Sequence, residues 1–346
     1  MATSGFAGDD VLSEFIPPFP KRLPEEPTAW QRFWLGRRNL MGAWPEAAFR
    51  YDFVAAKILA KQIFICNTPE TVQYAFSTHN SNFERKSPTM RHMLQPLIGD
   101  GLFISEGETW RKRRRIVSPI IHVSRLSEFA PVMTNTARDM IKRWRRLPEG
   151  ATIDVLSEMS QLTAEIICRT VFGQNLGHER ATAIVEGFTE FQRTVSLVDL
   201  PSAFGLPDWL PRFRRPAVRR STKRIQRVLD DIIADYRARK NSGEISVIGR
   251  LIDARDEETG EPLSNEALRN EAVVIFMAGY ETTASTLAFA WFLISQVPAV
   301  EARLHDEIDS VLGDRSPTCQ SWPIHAPSSR RRFGSFRRFR CSGAKR

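Results

Sequence analysis

Cysteine is scarce and unpaired in this 346-residue chain: Cys66, Cys168, Cys319 and Cys341 form no C-x-x-C pair and no even framework. That spacing excludes a disulfide-stapled secreted scaffold and suits a reducing compartment. A basic, then apolar leader is missing too, because the start MATSGFAGDDVLSEF carries acids where a signal peptide carries lysines or arginines. The expected location is therefore cytoplasmic. No internal repeat is present, which sets aside solenoids and propellers. Acidic residues stop at Asp314, and residues 315–346 hold eight Arg, one Lys and six Ser but no Asp, Glu, Leu, Val, Tyr or Met. Taking those nine from the total of 49 basic residues leaves 40, against 40 acidic, so the net charge of +9 belongs to the tail and the body is neutral. A segment so poor in aliphatic side chains cannot offset its own ordering entropy, and disorder is expected there.

What is present is a globular body with 42% hydrophobic residues. Residues 1–44 form a lead-in rich in Pro and charge, with Pro17, Pro18, Pro20, Pro24 and Pro27 marking an extended segment. The body is expected over 45–314. Apolar spacing predicts a helix over about Pro45 to Lys61, a strand over Gln62–Cys66 and a helix over Glu70–Ser77, which places a small sheet near the N-terminus. Ser87–Leu97 reads as a loop, followed by a glycine-bearing turn at Ile98–Phe103 and a basic helix through Trp110–Arg115. Amphipathic helices are expected at about 125–146, 154–173, 178–198, 217–241, 246–254 and 299–312, with a Pro-rich break at Pro201, Pro207, Pro211 and Pro216. The fold class is mainly α with a small β-sheet.

The most informative stretch runs from Ser264 to Pro298. Ser264 is a plausible N-cap, Pro298 forbids continuation, and the roughly 33 residues between them would span about 50 Å. From Ala272 to Ile294 the only charge is Glu281, inside Ala278-Gly279-Tyr280-Glu281-Thr282-Thr283. Gly costs a helix interior about 1 kcal/mol, so local propensity opposes this polar notch. Ala278 and Thr282 are i and i+4, which puts a small residue and a hydroxyl on one face, while Glu281 lies about 100° away. A carboxylate beside a buried hydroxyl suits proton delivery to a group held against the notch. Two other readings compete. One is a core helix whose threonines bond back to their own carbonyls. The other is a membrane span, against which Glu281 at mid-span would cost about 2.5–3.5 kcal/mol.

In the basic helix, Trp110 and Arg114 are again i and i+4, so an indole N–H and a guanidinium share a face that suits a carboxylate. The plain alternatives are a solvated face or a phosphate-binding patch.

Taken together these segments resemble the cytochrome P450 family, the haem-thiolate monooxygenases. Residues 278–283 match the family's (A/G)-G-x-(D/E)-T-(T/S) motif at every defined position, and Gly101-Leu102, Ser105, Gly107, Trp110, Arg114, Arg115 and Pro119 are similar to its haem-facing basic helix. The resemblance runs from about Pro45 to Asp314 and implies the cytochrome P450 fold with haem as cofactor. It implies that Trp110 and Arg114 hydrogen-bond the haem propionates, that Ala278 and Gly279 give bound oxygen room, that Thr282 hydrogen-bonds it and that Glu281 feeds it protons. It further implies a small apolar organic substrate, shaped by Ser87–Leu97 and by residues near Phe188–Leu200, and a ferredoxin-type electron donor of the soluble bacterial kind, with no membrane.

The resemblance stops short of the C-terminal thiolate motif, F-x-x-G-x-R-x-C-x-G. Registered on Cys341, its Phe falls on Gly334, its Gly on Arg337 and its Arg on Phe339, and only Gly343 agrees. Cys341 is a weak candidate and is not accepted as the metal ligand. The family's E-x-x-R pair is also missing, so the haem-ligand part of the fold is expected to be absent and this chain to be truncated, with weak or no haem incorporation and no monooxygenation. A reading-frame shift near Thr318 would explain the change in composition, and translating the other two frames would expose the lost motifs. The competing function is a non-catalytic basic protein that binds nucleic acid or anionic surfaces through Arg330–Arg332, Arg337, Arg338 and Arg340.

Overall fold

The computed structural model describes residues 44–58, 61–173, 176, 178–194, 216–238 and 245–312, with isolated positions before residue 44. The expectations for most of 1–44, for 195–198 and Leu200, for the break before Pro216, and for the tail with Cys319 and Cys341 lie outside the described residues.

The chain enters through a four-residue helix, α1 (Ala47–Arg50), and an antiparallel hairpin of β1 (Phe53–Ile58) and β2 (Lys61–Cys66), with Phe53 opposite Cys66 and Ile58 opposite Lys61. The helical spacing read over Pro45–Lys61 is thus realised only in α1. Phe53–Ile58 is a strand because pairing with β2 satisfies its backbone and stacks Phe53 on Phe64 at 5.9 Å, and cross-strand pairing outweighs a weak local period. The helix expected over Glu70–Ser77 divides into α2 (Pro69–Gln73), capped by Thr68, and a π-helical turn at Tyr74–Thr78. After α3 (Asn80–Phe83) comes α4 (Pro88–Ile98), where a loop was expected. Its start is a Ser-Pro signal: the Ser87 hydroxyl accepts the Met90 N–H at 3.2 Å and Pro88 occupies the first turn.

The remaining helices follow the sequence expectation closely. They are α5 (Gly107–Val117), α6 (Leu126–Trp144), α7 (Val155–Phe172), α8 (His178–Thr194), α9 (Pro216–Ala238), α10 (Val247–Asp253), α11 (Asn265–Gln296) and α12 (Pro298–Leu312). Ser264 caps α11 by accepting the Ala267 N–H at 3.2 Å. Among the described residues α11 is the one helix long and apolar enough to cross a bilayer, yet Leu268, Ala272, Val273 and Phe276 in its first half are core.

The molecule divides into two compact units, the larger holding 17–120 and 167–281 and the smaller holding 1–16, 121–166 and 282–346. In the larger unit α9 packs along α8, and Phe188, Ile184, Ile225, Leu229, Ile233, Ile248 and Phe276 are all 2% exposed or less. Each such side chain contributes roughly 1.5–3 kcal/mol of burial. In the smaller unit Met140, Met159 and Ala284 form a core with Trp144, Val155, Leu162, Leu287 and Ala288 packed around it. Two helices are shared: α7 passes from one unit to the other at Ile166–Ile167 and α11 at Glu281–Thr282.

Candidate active site

The basic helix α5 is held by acids from three directions. Arg111 pairs with Glu108 at 2.6 Å and Glu84 at 3.7 Å, and Lys112 with Asp256 at 3.6 Å and Glu261 at 3.7 Å. Arg113 pairs with Glu271 at 3.5 Å, and Arg115 with Glu258 at 2.8 Å and Asp256 at 3.8 Å. The run is therefore neither a plain solvated face nor an open phosphate patch. Asp256, itself buried, is held below the usual carboxylate range, first by the Glu258 N–H that it accepts and then by Arg115 and Lys112. Arg114 stands apart: it is exposed and makes no side-chain hydrogen bond or ion pair with any described residue. Trp110, one turn earlier on the same face, is half-buried, and its indole N–H donates to no described residue.

On α11 the predicted notch has two characters. Gly279 does not open onto free space: a Cβ there would lie 2.8 Å from Cδ1 of Ile167, so the missing side chain lets α7 press against α11. The room expected beside Gly279 is filled by Ile167, and the reason is ordinary close helix packing. Ala278 and Thr282, by contrast, lie on an exposed stripe that continues through Thr286 to Phe289, which is 68% exposed. Thr282, whose hydroxyl was expected to be buried, is thus exposed. Thr286 follows the back-bonding reading, its hydroxyl donating to the Thr282 carbonyl at 2.8 Å.

Glu281 points away from that stripe, as its position in the helical turn requires, and accepts a hydrogen bond from the Gln192 side-chain amide of α8. Next to it, Tyr280 stacks on Phe276 at 5.6 Å and meets Phe188 edge-on at 5.9 Å. Burial pushes the Tyr280 phenol up, opposed by a hydrogen bond with Thr189. Thr189 and Gln192 thus steady the turn that carries Glu281.

Sequence reading missed what joins the two helices. Glu271, fully buried, accepts the Leu102 N–H at 3.1 Å on both carboxylate oxygens and faces Arg113. It stands seven residues before Ala278, two helical turns along the same face, or about 10 Å at 1.5 Å per residue. The turn carrying Leu102 can come so close because Gly99 and Gly101 have no side chains. Cβ atoms there would lie 2.2 Å from Asn270 Nδ2 and 2.7 Å from Val274 Cγ2, and Gly99 also has φ of 50°. A pair of glycines spaced by Asp100 was the available sequence signal.

The described residues thus form a mainly helical molecule with one small sheet, organised on a long helix whose mid-section carries an acid–hydroxyl pair. The sequence pattern of the family described as Cytochrome P450 matches residues 17–323, and the chain belongs to that family. Among curated proteins it is 29% identical over 280 residues to a cyclooctatin synthase of Streptomyces melanosporofaciens, covering 81% of this chain and 60% of that protein. It is 30% identical over 236 residues to a cyclooctat-9-en-7-ol 5-monooxygenase of the same organism, covering 66% of this chain and 48% of that protein. The chain therefore spans about half to three-fifths of the length of these relatives. Among solved structures, the haem domain of cytochrome P450DA superposes with a TM-score of 0.64 at 24% identity, over 78% of this chain and 58% of that domain, which confirms the fold.

Haem is the family's cofactor, and two features fit such a flat, acid-bearing group. One is the unpaired guanidinium and indole of α5, in a helix whose other cations are neutralised. The other is the small-residue stripe of α11, where Ala278 and Thr282 are exposed.

Proposed function

We propose that this chain carries the propionate-binding and oxygen-facing parts of a haem monooxygenase that inserts one oxygen atom into a small apolar organic molecule. The observation that carries the reading is Arg114, exposed and free of any described carboxylate in a helix where Arg111, Lys112, Arg113 and Arg115 are all paired. An arginine left unpaired beside an indole donor is a bidentate site for an external carboxylate. The redox chemistry comes from haem, which lets dioxygen give one atom to an organic substrate and the other to water.

The protein's own contribution is placement and protons. Trp110 Nε1 and the Arg114 guanidinium donate to the cofactor's carboxylates and fix its orientation. Ala278, with no side chain beyond Cβ, leaves the stripe low enough for a flat ring to lie close. Gly279 keeps α7 tight behind it. Thr282 Oγ1 serves as donor and acceptor on the stripe. The exposed Glu281 carboxylate exchanges protons with solvent while the Gln192 amide holds it in place. The Streptomyces relatives support a bacterial system, and the electron donor in this reading is a ferredoxin-type protein.

The proximal thiolate is the part for which the sequence offers no matching donor, since Cys341 agrees with the motif at one of four positions. The proposal therefore has two halves. The chain binds haem weakly through α5, and on its own it does not hydroxylate. Titrating the protein with haemin and following the Soret band tests the first half. R114A should weaken binding by about tenfold to a hundredfold, the size of a charge-assisted hydrogen bond, and an unchanged affinity sinks the assignment. Reduction under carbon monoxide tests the second half: a thiolate-type Soret band, or product formation with a ferredoxin and its reductase, overturns it.

A further inference from the structure

Glu271 is buried with two partners and no contact with the notch itself, and its partners explain why a carboxylate lies in the core. Both of its oxygens take the single N–H of Leu102, which begins the segment leading to α5, and Arg113 approaches from α5 itself. Arg113 is flanked in the helix by Trp110 at i−3 and by Arg114 at i+1, so whatever fixes Arg113 fixes the pair of proposed donors. The contact also has little play. Asn270 lies where a Gly99 Cβ would be and Val274 where a Gly101 Cβ would be, so the turn 98–102 is wedged against α11 on either side of Glu271. Burial pushes the Glu271 carboxyl up, while the Leu102 N–H and the Arg113 guanidinium act against that rise and stabilise the carboxylate.

The geometry points to Glu271 as a positioning residue: it clamps the Leu102 turn and α5 to α11, and so sets where Trp110 and Arg114 present their donors relative to the Ala278 stripe. The inference rests on the haem reading above. It goes beyond that reading because Glu271 belongs to neither the oxygen-facing motif nor the propionate-binding pair.

Two measurements on the full chain separate the clamp from the haem reading. The first needs no cofactor: amide hydrogen exchange of residues 102–117 in the protein as purified. In E271A, exchange across this segment should accelerate at least tenfold more than in α8 and α9. In E271Q, whose amide oxygen still accepts from Leu102, the Leu102 amide should stay within about threefold of wild type. L268A, a core truncation one turn away, is the control for general destabilisation and should raise exchange evenly. The second measurement is the haemin titration. E271A should weaken binding at least tenfold, with E271Q between it and wild type, whereas R114A should weaken binding with exchange unchanged.

If E271A leaves the exchange of 102–117 like that of the rest, the clamp is wrong. If exchange accelerates while haemin affinity stays at the wild-type value, positioning is overturned although the clamp is real. If the wild-type protein takes up no haemin, the haem reading falls and takes the positioning claim with it, and the exchange result then describes only the fold.

Discussion

Glu158 shows how one carboxylate can serve two residues of the smaller unit. The indole N–H of Trp144 donates to it at 2.9 Å, and Arg143 donates to the same oxygen, so the end of α6 is fastened to α7. The Trp144 hydrogen bond first, and then Arg143, hold the Glu158 carboxyl below its ordinary value. A depressed acid contributes stability that is present above the unfolded value of about 4.3 and is lost as pH falls through the folded value. Urea midpoints of wild type and E158Q should therefore differ most above about pH 5 and converge in more acid solution. A constant gap at all pH values would mean that packing rather than charge accounts for the residue. Glu271 runs the other way. Its raised carboxyl gives stability that is full below the ordinary value and declines as pH rises through the folded one, so E271Q should remove a loss on the alkaline side of about pH 4.3. Opposite pH slopes from two glutamates in one chain are a check that a single overall charge effect would fail.

The crossing of α7 and α11 turns on one missing side chain. An alanine at Gly279 gains about 1 kcal/mol of helix propensity but drives its Cβ to 2.8 Å from Cδ1 of Ile167, and overpacking of that kind costs about 1–3 kcal/mol. I167V removes that methyl and alone should cost about 1 kcal/mol. Combined, G279A and I167V should be less destabilising than their sum by about 1 kcal/mol, and strict additivity would show that the contact is not where the structure puts it. This crossing also marks the limit of what the sequence displayed. The long helices were legible because their caps and apolar faces are local: Ser264 and Pro298 bound α11 as read, and residues 278–283 identify the notch. The strand β1 was misread because its partner, not its own pattern, decides its state. Helix α4 was hidden by Pro96 in its last turn, although Ser87-Pro88 announced its start. Glu271 could not be assigned from the chain, since its partner Leu102 lies 169 residues away.

At the scale of the whole molecule, the notable fact is that α7 and α11 run unbroken through the boundary between the two units. Helix propagation is cooperative, so order in one half of such a rod favours order in the other. The units should therefore unfold together. Urea denaturation followed by far-UV circular dichroism and by the fluorescence of the eight tryptophans, among them Trp34, Trp44 and Trp110 in the larger unit and Trp144 and Trp291 in the smaller, should give coincident transitions for wild type. Proline at Thr283, an exposed position just past the boundary, tests the cause. It removes one backbone hydrogen bond and crowds the Gly279 carbonyl without altering either core, at a cost of about 3 kcal/mol. T283P should both lower the midpoint and pull the two probes apart. If the probes still coincide, the units are joined by something other than these helices. If they separate already in wild type, the shared helices do not couple the units at all.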